Sequence, residues 1–146
     1  MLVREMIVDD LAEIVKIEGS LYKIPWNEKQ YKYELEENEF SYLFVLEHEG
    51  IIIGYYGFWV MFEDCDITKV SIRKEFQGMK LSNILIEDCF KRVVSLGCCK
   101  INLEVRVDNY KAINLYRKHG FEDVYIRKDY YGKGEDALIL VKEVGE

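Results

Sequence analysis

A chain of 146 residues is long enough for one domain with its own hydrophobic core. Hydrophobic residues make up 49% and charged residues 32%, as in ordinary globular proteins, and the single proline argues against linkers and low-complexity segments. The formal net charge of −7 argues against nucleic acid as the main partner and suits a cationic one. We therefore expect one domain over residues 1–146.

The cysteines and the hydropathy pattern exclude further classes of protein. Cys65, Cys89, Cys98 and Cys99 lack C-x-x-C spacing, and the two histidines lie far apart, so the pattern predicts no metal site. The cysteines are typical of reduced, mostly buried thiols, and we expect a cytoplasmic protein. Since no apolar run approaches the roughly 20 residues of a membrane span, and the acidic start is not that of a signal peptide, we expect no membrane partner.

The predicted elements switch between the two-residue period of strands and the 3.6-residue period of helices. A strand over residues 2–6 precedes a helix over 9–19 and, after a break at Pro25, a helix over 27–37. Strands over 40–46 and 51–62 form a hairpin, and a strand over 66–72 leads to a helix over 80–96. Residues 101–121 form a strand and a helix, and strands over 122–128 and 137–141 follow. The order β-α-α-β-β-β-α-β-α-β-β predicts a mixed α/β (α+β) fold with helices on both faces of one sheet.

The segment LEVRVDNYKAINLYRKHGF, residues 103–121, is the most informative part of the chain. Apolar residues alternate with polar ones along its strand, so Glu104 points away from the apolar row. Asn109 is a good N-cap for the following helix, and Tyr116, seven residues later, shares its face at roughly 10 Å along the axis. A carboxylate at a strand end facing a phenol and a carboxamide is a workable acid/base site.

This segment, as LEVR-x-x-N-x-x-A-x-x-LY-x-x-x-GF, and the element order resemble the GNAT superfamily of N-acetyltransferases, and within it the bacterial ribosomal-protein-alanine N-acetyltransferases. Ile24-Pro25-Trp26 and Arg127-x-x-Tyr130-Tyr131 match as well, so the resemblance covers essentially the whole chain. It implies acetyl-CoA as cosubstrate, no metal, and acetylation of the N-terminal α-amine of a protein, with alanine first and a ribosomal protein as the expected partner. A monomer or weak dimer is expected.

The resemblance also implies roles for residues of the acid/base site and the substrate channel. Glu104 becomes the general base and Tyr116 the acid for the leaving thiolate. The structural alternatives are an ion pair between Glu104 and Arg106 and a Tyr116 ring that packs on the sheet. Asn109 either contacts the cofactor or only caps its helix, with equal weight for each. The expected walls of the substrate channel are Trp26, Tyr130 and Tyr131, for which hydrophobic packing is the alternative.

The expected acetyl-CoA site consists of a strand and the loop after it. The pantetheine arm is expected on the backbone of Val70, Ser71 and Ile72, and the pyrophosphate on the loop formed by Gly78, Met79, Lys80, Leu81, Ser82 and Asn83. Two departures from the family pattern Gln/Arg-x-x-Gly-x-Gly/Ala are Lys80 and Ser82, which stand at the positions of small residues. A Cβ at Lys80 disfavours positive φ, so we expect a loop that is altered but usable.

Two other functions are open. The altered loop favours a chain that binds acyl-CoA or a protein partner without catalysis, and an acetyltransferase for a small amine or a lysine side chain is a separate alternative. Binding of acetyl-CoA and the choice of acceptor separate these possibilities.

Overall fold

In the computed structural model, which describes residues 1–145, the chain forms seven strands and four α-helices. In chain order these are β1 (Leu2–Glu5), α1 (Leu11–Leu21), α2 (Glu28–Glu36), β2 (Ser41–His48), β3 (Ile51–Met61), β4 (Asp64–Ile72), α3 (Ser82–Ser95), β5 (Lys100–Arg106), α4 (Tyr110–Lys118), β6 (Glu122–Gly132) and β7 (Glu135–Glu143). The predicted element order and the mixed α/β class are confirmed.

The strands form one sheet in the order β1-β2-β3-β4-β5-β7-β6. β4 and β5 run parallel, and α3 connects them, because parallel neighbours need a crossover connection. The other neighbouring pairs are antiparallel, and β1 and β6 form the two edges.

A hydrophobic core covers each face of the sheet. On one face α1 and α2 pack on β2 and β3, through buried residues that include Leu11, Ile14, Tyr31, Val45 and Tyr55. On the other face α3 and α4 pack on the centre of the sheet, through a cluster that includes Leu85, Ile101, Leu103, Ile113 and Phe121. Successive side chains of a strand point to opposite faces of the sheet. Because helices cover both faces at the centre of β2, every residue there is buried, and this part of the strand is an unbroken apolar run.

Some element bounds differ from the prediction. α3 begins at Ser82 and not at Lys80, because Lys80 has a φ of +61°, outside the right-handed helical region. β4 begins at Asp64, two residues early, because the turn around Phe62, with its own positive φ, returns the chain directly into the ladder with β3. The last two strands extend further toward their shared turn than the apolar pattern indicated.

None of the helices within residues 1–145 is long and apolar enough to cross a membrane.

Candidate active site

β4 and β5 separate partway along their length, and this opening organises the site. Their parallel ladder covers only Asp64–Asp66 with Lys100–Asn102. Beyond it β4 pairs with β3 alone and β5 with β7 alone. The carboxyl ends of two neighbouring strands therefore leave a gap in the sheet, the place where ligands bind in many α/β folds.

A cavity of about 590 Å³ lies between the end of β4, the start of α3 and α4. Nine of the ten residues predicted to bind acetyl-CoA line it, namely Val70, Ser71, Ile72, Gly78, Lys80, Leu81, Ser82, Asn83 and Asn109. The tenth, Met79, is outside the lining, with 61% of its surface exposed. The cavity thus joins the strand and the loop that the sequence predicted as one site.

The lining is basic, although the chain as a whole is acidic. Lys80, Lys111 and Lys118 contribute to it, and no aspartate or glutamate is among the residues that line it. The amino end of α3 lies in the same wall, and unsatisfied N–H groups at a helix start attract anions. The N-cap Leu81 is apolar, so no capping side chain competes for these groups. The N–H groups of Asn83 and Ile84, however, donate to the Lys80 and Leu81 carbonyl oxygens and are not free. The donor set suits a pyrophosphate.

Tyr116 lies on α4 and lines this cavity. Its ring packs edge-on against Phe121, with 5.5 Å between the centroids, and only 8% of the residue is exposed. Burial, with a smaller contribution from the nearby Tyr22, raises the pKa of Tyr116 above its ordinary value. The phenol therefore keeps its proton at neutral pH. The ring of Tyr116 packs on the core and also lines the cavity, so the two expected positions of this residue are compatible.

Asn109 is the N-cap of α4, as predicted. Its Oδ1 accepts a hydrogen bond from the backbone N–H of Ala112 at 3.2 Å. Because this bond uses only the side-chain oxygen, the Nδ2 amide group can still donate to a ligand in the cavity that Asn109 lines. Capping and cofactor contact are therefore compatible.

Glu104 lies on β5 and, as its strand period predicts, points away from the buried Leu103 and Val105. It is outside the lining of the large cavity, on the face that carries α1 and α2. The pKa of Glu104 is raised, first by desolvation and then by the charge of Asp66, while the charge of Arg127 opposes the rise. The same face holds Asp66, which accepts a hydrogen bond from Asn102, two residues before Glu104.

The predicted alternative for Glu104, an ion pair with Arg106, is wrong. Arg106 Nη1 donates instead to Glu135 Oε1 at 2.7 Å, on the neighbouring strand β7, where Arg106 pairs with Ala137. Glu104 is thus left with a raised pKa and an accessible side chain, which are the properties of a usable general base.

The three aromatic residues predicted as channel walls take two positions. Tyr130 and Tyr131 contact each other edge-on at 5.0 Å, and the Arg106 guanidinium lies 4.4 Å from the Tyr131 centroid. Burial and then the charge of Glu104 raise the pKa of Tyr131 to about 12, so this ring lies near the proposed base. Trp26 packs on Tyr31 at 5.1 Å and lines a separate cavity of about 380 Å³ beside α2.

The sequence reasoning missed a buried polar cluster on the α1/α2 face. Glu18 and Lys69 form an ion pair there, and the Lys69 ammonium also lies near the rings of Tyr22 and Trp26. Glu18 follows Leu11 and Ile14 by seven and four residues, on the buried stripe of α1. The sequence signal for this cluster was the carboxylate of Glu18 at a position where the helical period predicts a buried apolar residue.

No group of three or more His, Cys, Asp or Glu side chains suited to a metal ion occurs in the part of the chain that the structure describes. The cysteines are free thiols, with Cys65, Cys89 and Cys98 buried and Cys99 exposed.

Comparison with known proteins identifies the family of this chain. The family model described as "Acetyltransferase (GNAT) family" matches residues 11–121. A Bacillus subtilis protein provisionally named a [ribosomal protein bS18]-alanine N-acetyltransferase is 35% identical over 145 residues, which cover 99% of this chain and 96% of that protein. An N-alpha-acetyltransferase of Sulfurisphaera tokodaii is 28% identical, over 94% of this chain and 90% of the relative.

A solved structure agrees with these relatives. The crystal structure of the ribosomal-protein-S18-alanine N-acetyltransferase from Escherichia coli superposes with a TM-score of 0.90 and 25% identity, covering 99% of this chain and 94% of that one. The predicted resemblance is therefore confirmed over the whole fold. The chain belongs to the acetyltransferase (GNAT) family and is an N-acetyltransferase.

Proposed function

We propose that this chain transfers the acetyl group of acetyl-CoA to the N-terminal α-amine of a protein that begins with alanine, with a ribosomal protein as the acceptor. The names of the B. subtilis and E. coli proteins support this acceptor class. The observation that carries the chemistry is the opening between β4 and β5, which has a carboxylate of raised pKa on one side and a neutral phenol on the other.

The reaction forms a C–N and an S–H bond and breaks a C–S and an N–H bond. The amine nitrogen bonds to the acetyl carbon, the C–S bond of the thioester breaks, and the acetyl group leaves the sulfur. In our proposal Glu104 accepts the proton that the nitrogen loses, and Tyr116 gives its proton to the departing thiolate. Since a protein α-amine has a pKa of about 7.7–8.0, a carboxylate of moderately raised pKa is a sufficient base.

The residues of the large cavity fit acetyl-CoA. Lys80, Lys111 and Lys118, with the amino end of α3, suit the anionic pyrophosphate, and the unpaired edge of β4 at Val70–Ile72 can hydrogen-bond to the amide groups of the pantetheine arm. When bound there, acetyl-CoA supplies the activated acetyl group. The protein's part is to orient it and to move protons.

A protein N-terminus is the acceptor that the α1/α2 face suits. Trp26, Tyr130 and Tyr131 offer ring surface there, while Glu104 and Asp66 place negative charge near the expected amine. Negative charge next to a channel attracts a cationic terminus. The net charge of −7 acts in the same direction.

The proposed acceptor is tested with a matched peptide panel. One peptide begins with a free alanine and contains no lysine, and its partner has a blocked N-terminus and one internal lysine. With acetyl-CoA, we expect the mass of the first peptide to rise by one acetyl group and the second to react at least about tenfold more slowly, because only the α-amine is substantially neutral near pH 7.5.

The other outcomes decide between the remaining functions. Faster acetylation of the lysine peptide, or of a polyamine, would contradict the acceptor but keep the enzyme. Calorimetric binding of acetyl-CoA with no transfer to any amine in the panel would favour a non-catalytic binder.

A further inference from the structure

Tyr22 is a second phenol in the wall of the large cavity, beside Ser71 and Tyr116. It is the C-cap of α1, where the backbone becomes extended, with φ −117° and ψ 141°. Its N–H still donates to the Glu18 carbonyl oxygen at 3.0 Å, so the backbone stays attached to the helix. The side chain thereby leaves the helix surface and reaches the sheet.

Contacts at both ends fix the Tyr22 side chain. Its hydroxyl shares a hydrogen bond of 2.5 Å with Ser71 Oγ, and Ser71 is only 3% exposed on β4. The Lys69 ammonium lies 4.7 Å from the centroid of the Tyr22 ring, and Glu18 holds that ammonium in an ion pair. A phenol restrained in this way loses little further freedom when it contacts a ligand.

Tyr22 also connects the two faces of the sheet. Most of the cavity wall comes from the α3/α4 side, whereas the side chains of Tyr22 and Ser71 come from the α1/α2 side, on which Glu104 lies. An acetyl group held in the cavity must meet an amine deprotonated by Glu104 at this junction. The Tyr22 hydroxyl is therefore next to the path between donor and acceptor.

We propose that Tyr22 is a further catalytic residue, whose hydroxyl donates a hydrogen bond to the acetyl oxygen as negative charge develops on it during transfer. Either oxygen of the Tyr22–Ser71 hydrogen bond can be the donor, and this role requires that Ser71 donates to the Tyr22 oxygen, so that the phenol proton points into the cavity. The inference rests on the proposed function. Fixed donors aimed at a developing oxyanion stabilise the transition state more than the ground state.

The protonation state of Tyr22 agrees with this role. Burial raises the pKa of Tyr22 to about 12, although its hydrogen bond with Ser71 acts in the opposite direction. The phenol is thus neutral at physiological pH and has a proton to donate.

The test replaces Tyr22 by phenylalanine, which keeps the ring and its packing against Lys69. Using the alanine peptide, we expect Tyr22→Phe to lower kcat about 10²–10³-fold, the usual effect of removing one oxyanion donor. The calorimetric Kd for acetyl-CoA should stay within twofold of wild type. Ser71→Ala keeps the phenol but frees it to rotate, so we expect a smaller loss of kcat, of about tenfold. The control is Tyr110→Phe, since 72% of Tyr110 is exposed and it lies outside the cavity.

Three results would overturn the inference. If wild type turns over and Tyr22→Phe keeps kcat within threefold, Tyr22 is not a catalytic donor while the proposed function stands. If the loss appears in the Kd for acetyl-CoA and not in kcat, Tyr22 only binds the cosubstrate. If wild type acetylates no amine at all, the proposed function and this inference fail together.

Discussion

Glu18 and Lys69 form the most buried ion pair of the structure, with exposed side-chain fractions of 0% and 13%. Glu18 Oε1 accepts hydrogen bonds of 2.6 Å from the hydroxyls of Tyr31 and Tyr55, and Oε2 accepts one of 3.1 Å from the backbone N–H of Trp26. Burial lowers the pKa of Lys69, and its hydrogen bond with Glu18 opposes that shift. The pair connects α1 to β4 beneath the Tyr22 ring.

Removing one member of this pair tests its contribution to stability. Lys69→Met leaves the Glu18 carboxylate buried without its countercharge, so we expect the free energy of unfolding to fall by about 3–5 kcal/mol. The double variant Glu18→Gln/Lys69→Met removes both charges and should recover much of the loss. Urea unfolding measures both variants, and Lys32→Met, at an exposed position of α2, is the control.

The opposite ranking would contradict this account. If the double variant is less stable than Lys69→Met, the buried charge is not what destabilises the single variant.

Residue patterns predicted some of these side chains and not others. The alternation along β5 placed Glu104 on the polar face, and the residue type at Asn109 predicted its capping bond, since both depend on local geometry. The position of Tyr22 depends on how α1 ends and on a partner 49 residues away in sequence. No local pattern carries that information.

At the scale of elements, the loop before α3 is the part most altered from the family pattern. Gly78 and Lys80 both have positive φ, of 81° and 61°. The departure identified in the sequence therefore falls where the backbone most favours glycine. Lys80 adds positive charge to the cavity wall at the cost of an unfavourable backbone conformation.

Two variants separate the charge of Lys80 from its backbone. Lys80→Ala removes the charge and keeps the Cβ, whereas Lys80→Gly removes both. We expect Lys80→Gly to be more stable than Lys80→Ala by about 1 kcal/mol in urea unfolding, because glycine adopts positive φ without strain. Both variants should bind acetyl-CoA more weakly than wild type by calorimetry, since each loses the cation.

Equal stabilities of the two variants would show that the left-handed φ carries no cost here. Unchanged affinity in both would exclude Lys80 from the pyrophosphate site.

The opening between β4 and β5 is an element-scale feature that the sequence pattern could not predict. β5 alternates regularly, whereas the alternation of β4 is interrupted at Thr68, where its pairing with β3 shifts register. Neither pattern indicates that the two strands separate after three paired residues, because that separation depends on long-range pairing with β3 and β7. The family resemblance, not the periodicity, indicated that the β4 backbone at Val70–Ile72 faces the cofactor.

At the scale of the whole molecule, charge is distributed unevenly. The chain carries a net charge of −7, yet three lysines and no carboxylate line the large cavity. The acidic groups near the site lie on the α1/α2 face, where desolvation and then the charge of Asp66 raise the pKa of Glu104. That face also carries Lys69 and Arg106, so the charge contrast with the rest of the chain is clearest in the cavity, where the three lysines attract an anionic donor.

The element order was predictable because each element has a clear period and clear ends. The strand order was not, because the insertion of β7 between β5 and β6 leaves no trace in local periodicity. Because β7 lies between β5 and β6, it is the antiparallel partner of β5 and holds the strand that carries Glu104 in place.

The most direct measurement of the central claim is the pH dependence of kcat for wild type and Glu104→Gln with the alanine peptide. A protonated Glu104 cannot accept a proton, so wild-type kcat should fall as pH drops through the raised pKa of this group. We predict that Glu104→Gln lowers kcat by about 10²–10⁴-fold and that its kcat no longer falls at low pH in the way that wild-type kcat does, a fall that we call the acidic limb. The control Glu122→Gln, at an exposed β6 position, should keep the wild-type kcat and the acidic limb. A Glu104→Gln enzyme with kcat within tenfold of wild type and the same acidic limb would contradict the account.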